Sequence, residues 1–288
     1  MNPVGSALRA DAPPGPGPLH AAPEEIEIES CRRALACDPN DTEVYLRLGA
    51  IYQDRGWMDK AEVCYRQALT LAPLDERCSF SLGCVLQAQG RADEAVDCYA
   101  RTLKARPDCA PAYFNLGVLH LSRRQYAPAA AVLERAVALQ PGLTAAMNNL
   151  GTARMAMGRV EEAREWFQRA IDQEPGYAEA HANLARLMFA CERWNDALAS
   201  FMRAVALKPA AAELLHEVGL CHHKVGRLDE AETWYRRALA AKPDDPGIQT
   251  DIGNVYLDRG EFDDMIVWYR RAAAGLPQPA AAMLNVRL

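Results

Sequence analysis

Apolar residues recur three or four positions apart along most of this chain, and that helical spacing itself repeats every 34 residues. Prolines mark the period at 39, 73, 107, 141, 175, 209, 243 and 277. Gly49, Gly83, Gly117, Gly151, Gly219 and Gly253 hold one phase, with Ala185 in the remaining place. Alanines hold two more, led by Ala61 and Ala68, with Thr102 as the exception in the second. Large side chains fill the facing positions: Leu48, Leu82, Leu116, Leu150, Leu184, Val218 and Ile252 in one series, and Tyr65, Tyr99, Leu133, Phe167, Phe201, Tyr235 and Tyr269 in another. Small residues in register with large ones predict two amphipathic helices per frame whose backbones approach closely.

The breaks agree with this division. Gly56, Gly90, Gly158, Gly226 and Gly260 are placed to end a first helix in the left-handed conformation. Three residues after each comes Asp59, Asp93, Glu161, Asp229 or Asp263, which predicts a capped start to the second helix, and Asp59–Glu62 and Asp229–Glu232 have capping-box spacing. Pro128 is expected at a first helical position, and the prolines in register stop each second helix.

The frame Thr42 to Asp75, with Tyr45, Leu48, Gly49, Tyr52, Ala61, Tyr65, Ala68 and Pro73, resembles the tetratricopeptide repeat. The resemblance extends over about residues 24 to 279 and implies an all-α fold, a right-handed alpha-solenoid superhelix of helix-turn-helix repeats. Seven frames are expected, at 42–75, 76–109, 110–143, 144–177, 178–211, 212–245 and 246–279. A half repeat at 24–41 would cap the N-terminal edge, behind a Pro/Gly-rich tail at 1–23 that lacks apolar periodicity. Residues 280–288, AAAMLNVRL, read as a partial helix or cap, a docking edge, or the opening of a further repeat in a longer protein.

Half of the 288 residues are apolar and 7% aromatic, enough for a large helical core. A net charge of −6 argues against a surface built for nucleic acid, and no stretch has the length and apolarity of a membrane span. A cytoplasmic location is the expectation. The nine cysteines lack Cys-x-x-Cys spacing, so reduced, packed thiols are expected and no metal or other cofactor.

In such a superhelix the first helices line the concave side, and binding is expected there. Asn115, Asn149 and Asn183 follow one another in a phase that also holds Arg47, Ser81, Glu217 and Asp251. Each primary amide can give and accept a hydrogen bond along a peptide backbone. The series is similar to the asparagine ladder in the repeat superhelix of O-linked N-acetylglucosaminyltransferases, though shorter. Phe80, Cys84, Phe114, Val118, Leu121, Met155 and Phe189 lie beside it, with Phe80 and Phe114 expected as apolar groove residues, and Arg77 and Arg186 flank it. The Lys/Asn clamp of chaperone-docking repeats is disfavoured, because Phe80, Cys84, Phe114 and Val118 stand in the slots around Asn115 and Asn149, and those around Asn183 lead on to Glu213 and Glu217.

Arg33, Arg101, Arg135, Arg169, Arg203, Arg237 and Arg271 form a stripe on the second helices. Glu29, Asp97 and Glu165 precede three of them by four residues, which predicts a solvated, paired face. His216 and His223 are too far apart along a helix to be a usual metal pair. No nucleophile motif or phosphate loop is present. The expected function is a non-catalytic scaffold binding a peptide or protein partner, with no nucleic acid and no membrane insertion, and with the C-terminal edge as a candidate for self-association. The alternatives are the recognition arm of a glycosyltransferase of the O-linked N-acetylglucosamine type, and an assembly factor for a secretion or pilus machine.

Overall fold

In the computed structural model, which describes residues 23–275, all regular structure among the described residues is helical, and the chain divides into two compact units at Pro107/Asp108. The first contains α1 (Pro23–Cys37), α2 (Thr42–Asp54), α3 (Met58–Leu71), α4 (Glu76–Ala88) and α5 (Ala92–Ala105). The second contains α6 (Ala110–Ser122), α7 (Tyr126–Leu139), α8 (Thr144–Ala156), α9 (Val160–Gln173), α10 (Ala178–Ala190), α11 (Trp194–Leu207), α12 (Ala212–Lys224), α13 (Leu228–Ala241), α14 (Pro246–Arg259) and α15 (Phe262–Ala274). Within each unit the helices pack as consecutive antiparallel pairs, and each second helix also packs on the first helix of the next pair. The C-terminal segment 280–288 and the tail before Pro23 lie outside the described residues.

The glycines and aromatics in register form the contact within each pair. A Cβ at Gly49 would lie 2.6 Å from Cε1 of Tyr65, and one at Gly151 would lie 2.6 Å from Cε1 of Phe167. At these glycines a Cβ would force the ring away from the first helix. The rings themselves are sealed: Tyr99, Phe167, Tyr235 and the alanines one turn away are 0% exposed. Burial of each such ring contributes about 1.5–3 kcal/mol. Six of the nine cysteines are buried as small apolar groups and all nine are free thiols. Burial pushes the thiols of Cys64, Cys78 and Cys221 up, to about 11, about 12 and about 12 respectively, which keeps them protonated and unreactive.

The connection inside each pair is tighter than the sequence pattern implies. Gly56, Gly90, Gly158, Gly226 and Gly260 all have φ between 73° and 77°, as expected, and Arg124 and Glu192 adopt the same conformation in the frames that lack glycine. The amide of Gly56 bonds to the Gln53 carbonyl at 2.9 Å and that of Trp57 to the Tyr52 carbonyl at 2.8 Å. This double closure starts α3 at once, so Trp57 is its N-cap and Asp59 falls inside the first turn. Arg91, Arg159, Arg227 and Glu261 occupy the same place, none with a side-chain cap. The expected caps at Asp59, Asp93, Glu161, Asp229 and Asp263, and the capping boxes, are therefore not formed. Those acids instead face the positive end of the helix dipole. True side-chain caps stand on first helices, where Asp41, Asp75 and Asp245 each accept from two backbone amides. Pro128 is the third residue of α7 rather than the first, still within the turn where a proline costs no hydrogen bond.

Charged residues lock successive frames together at equivalent places in the two units. In the first, Glu62 accepts from Arg91 through both oxygens at 2.7 Å and from Arg66 at 2.8 Å. In the second, Glu232 accepts from Arg259 at 2.6 Å, from Tyr256 at 2.8 Å and from Arg236 at 2.8 Å. Burial pushes both carboxyls up, and these hydrogen bonds outweigh it and hold them below the usual carboxylate range. A folded-state pKa below the unfolded one gives stability that is complete above the unfolded value, near 4.3, and is lost as pH falls through the folded value. The melting temperature is expected to fall between neutral pH and pH 3. The Glu62→Gln, Glu232→Gln double variant should melt lower at neutral pH and lose less on acidification; an equally steep fall in thermal scans would contradict this assignment.

Candidate functional site

In the second unit, first helices reach one another by bonds between residues 35 positions apart, one frame plus one residue. Asn183 on α10 donates to Asn148 on α8 at 2.9 Å. His216 and His223 on α12 meet Asp251 and Asp258 on α14 at 2.6 and 2.8 Å. The two histidines are thus structural partners of carboxylates. Among the described residues, no group of three or more His, Cys, Asp or Glu could hold a metal ion.

Asn115, Asn149 and Asn183 sit at equivalent positions of α6, α8 and α10, each half-buried. They are not equivalent chemically. The Asn183 amide is occupied at both ends, donating to Asn148 and accepting from Arg186 at 2.9 Å. Arg186 continues the chain to α12 through two bonds to Glu217, at 2.6 and 3.1 Å. Asn149 has no side-chain hydrogen bond among the described residues. The working unit is accordingly a network of Asn148, Asn183, Arg186 and Glu217 spanning three first helices. Asn148 and Glu217 were not among the predicted site residues. The available signal was an asparagine in a phase where neighbouring frames carry Phe80, Phe114 and Ala182, since a buried amide requires a partner.

Two recesses share Arg186. One, of about 260 Å³, is walled by Asn148, Asn183, Arg186, Lys208, Glu213 and Leu214. The other, of about 180 Å³, is lined by Arg186, Phe189, Ala190, Phe201, Glu217 and Leu220. Each has the size of one or two amino-acid side chains. The first offers amide and charged groups, the second mainly carbon.

The apolar character of this face follows from the core beneath it. In α3, α5 and α13 the tyrosine hydroxyl reaches a polar side chain twelve residues earlier, Gln53 for Tyr65 at 3.1 Å, Gln87 for Tyr99 at 2.8 Å and His223 for Tyr235 at 3.5 Å; on α15 the Tyr269 hydroxyl donates instead to Asn254 at 2.6 Å. Where the second helix carries Leu133, Phe167 or Phe201, the residue twelve earlier is Leu121, Met155 or Phe189. With no hydroxyl to satisfy, these positions turn apolar, and each remains partly exposed. Phe114 is half-buried against the core formed around Leu133 and Leu150.

Arg77 and Phe80 belong to α4 in the first unit. Arg77 bonds to Asp75 at 3.0 Å and to Glu43 at 2.9 Å. It ties the starts of α2 and α4 together. Phe80 is half-buried, its ring centroid 5.8 Å from that of Tyr99. No helix among the described residues is long and apolar enough to cross a membrane.

Stacked helix pairs joined by left-handed turns define a tetratricopeptide-repeat solenoid, a class whose members are generally non-catalytic scaffolds for protein interaction. The chain belongs to the family described as the Cilia and flagella-associated protein 70 C-terminal domain, whose model matches residues 75–276; a tetratricopeptide-repeat model also matches residues 41–108. No curated protein matches the sequence. Among solved structures, YrrB, described as a TPR protein with an unusual peptide-binding site, is 24% identical with a TM-score of 0.57, over 66% of this chain and 97% of its own. PilF of Pseudomonas aeruginosa is 20% identical with a TM-score of 0.62, over 75% and 94%. The Cut9–Hcn1 assembly of APC/C is 19% identical with a TM-score of 0.66, over 90% of this chain and 51% of that one. At these identities the likeness is one of fold.

Proposed function

We propose that this protein is an interaction scaffold that holds an extended peptide segment of a partner protein across the first helices of the second unit. The carrying observation is the pair of adjoining recesses at α8, α10 and α12, one amide-lined and one apolar, beside the partly exposed Leu121, Met155 and Phe189. Apolar side chains of the ligand gain by leaving water, and Asn149, with Asn115 and the second N–H and lone pair that Asn183 keeps beyond its bonds to Asn148 and Arg186, holds its backbone in register. Phe114 extends the apolar contact toward α6, while Arg186 orients polar groups at the boundary between the recesses. Arg77 and Phe80 would serve a separate contact on α4. YrrB, similar in fold, is described as having a peptide-binding site.

Peptides selected from a displayed random library should bind with micromolar affinity, typical of small groove contacts. Asn149→Ala with Met155→Lys should weaken binding at least about tenfold, equivalent to about 1.4 kcal/mol, in fluorescence anisotropy. Both positions are partly exposed, so the fold should persist by circular dichroism. Unchanged affinity in the folded variant would refute the assignment.

A further inference from the structure

The second helices of the same unit present a different surface. Arg135, Arg169, Arg203, Arg237 and Arg271 occupy one position of α7, α9, α11, α13 and α15, and all five are exposed. The spacing to Glu165 predicts an ion pair for Arg169, yet none of the five makes an ion pair or hydrogen bond among the described residues. Several nearby acids are engaged elsewhere, Glu134 with Arg154, Asp172 with Gln168, Asp196 with Arg193, and Asp229 and Glu232 with Arg259, while Glu165 is exposed and makes no ion pair among the described residues. Three of the arginines lie instead over indole rings, Arg169 on Trp166 at 4.1 Å, Arg237 on Trp234 at 4.0 Å and Arg271 on Trp268 at 4.9 Å.

This geometry has a chemical consequence. A guanidinium held over an indole and making no ion pair leaves its N–H donors available to meet a carboxylate with two hydrogen bonds. Stacking also reduces the side-chain entropy lost on binding. Between these cations the same helices expose carbon: Met202, Leu207 and Val267 are 41%, 42% and 47% exposed. Cations alone would fit any polyanion. Apolar residues among them gain nothing from a phosphate backbone, and the chain as a whole is acidic, at −6.

We infer that the second-helix face of α7 to α15 is a second docking surface, for an acidic amphipathic segment of a partner protein in which Asp or Glu alternates with apolar residues. Its carboxylates would meet the arginines in register, and its apolar side chains would cover Met202, Leu207 and Val267. The surface is independent of the peptide-binding reading above, because it shares no residue with it.

The test is fluorescence anisotropy of the full chain with a labelled helical peptide of Glu and Leu, alongside a labelled single-stranded DNA and vesicles of phosphatidylcholine with phosphatidylserine. The peptide is expected to bind, to weaken as salt is raised, and to lose at least about tenfold in affinity with the Arg203→Gln, Arg237→Gln, Arg271→Gln variant. All three sites are exposed, and an unchanged melting curve would show the variant folded. The inference is overturned if the peptide does not bind at low salt, if the folded variant binds it equally well, or if DNA or the vesicles bind more tightly than the peptide. The Asn149→Ala, Met155→Lys variant should bind this peptide normally; parallel loss in both variants would mean that the surface assigned here is not a separate one, and would also overturn it.

Discussion

Phe167→Ala is expected to destabilise the second unit by about 3–5 kcal/mol in urea denaturation, the range for removing a fully buried aromatic ring. The ring is 0% exposed and packs directly against Gly151, so its removal leaves a cavity in the contact between α8 and α9. The loss should not stay local. In a stack stabilised by nearest-neighbour interfaces, α9 also carries α10, and hydrogen exchange should rise in α8, α9 and α10 together. A loss below about 1 kcal/mol would mean that the pair does not depend on this contact.

Gly151→Val acts on the other side of the same contact, by overpacking. The first added carbon would already lie 2.6 Å from the Phe167 ring, and two more methyls cannot fit unless α8 and α9 separate. A cost of about 2–3 kcal/mol is expected. Gly151→Ala should cost clearly less, because Ala185 occupies the equivalent place on α10, where Ala185 and Phe201 are both buried. Thermal or urea melts of the two variants measure this directly. Equal tolerance of valine and alanine would show that the close approach is not what the glycine provides.

The features legible in the sequence were those imposed by the 34-residue packing rule. The glycine, alanine and aromatic positions must repeat because the same helix pair is built each time, and the prolines from Pro39 to Pro243 fall two residues beyond the helix each one follows. Local capping was less legible. An acidic residue three positions after glycine serves equally as an N-cap or as a first-turn charge, and only the double hydrogen bond closing at Gly56 and Trp57 decides between them. The arginine stripe was visible as a series, but its partners were not. Glu165 precedes Arg169 at pairing distance along the helix, while Trp166 offers a ring that holds the guanidinium instead.

The candidate site was legible only in its phase. Asn115, Asn149 and Asn183 occupy one register, yet their chemistry differs because bonds between frames run 35 residues, not 34. Asn183 therefore meets Asn148 rather than a second member of its own series. The apolar run of Leu121, Met155 and Phe189 stands where the residue twelve positions later carries no hydroxyl, and Leu257 is apolar as well because the Tyr269 hydroxyl bonds to Asn254. The three positions were readable as apolar residues beside the asparagine series; their link to the core ring beneath was not.

The most direct test of a binding face on these first helices is an amide chemical-shift map of the second unit within the full chain, titrated with the selected peptide. The account predicts perturbations concentrated at Asn149, Met155, Asn183, Arg186 and Phe189, with α9 and α11 silent on their exposed faces. Perturbations confined to the second helices, with those five residues unmoved, would contradict it.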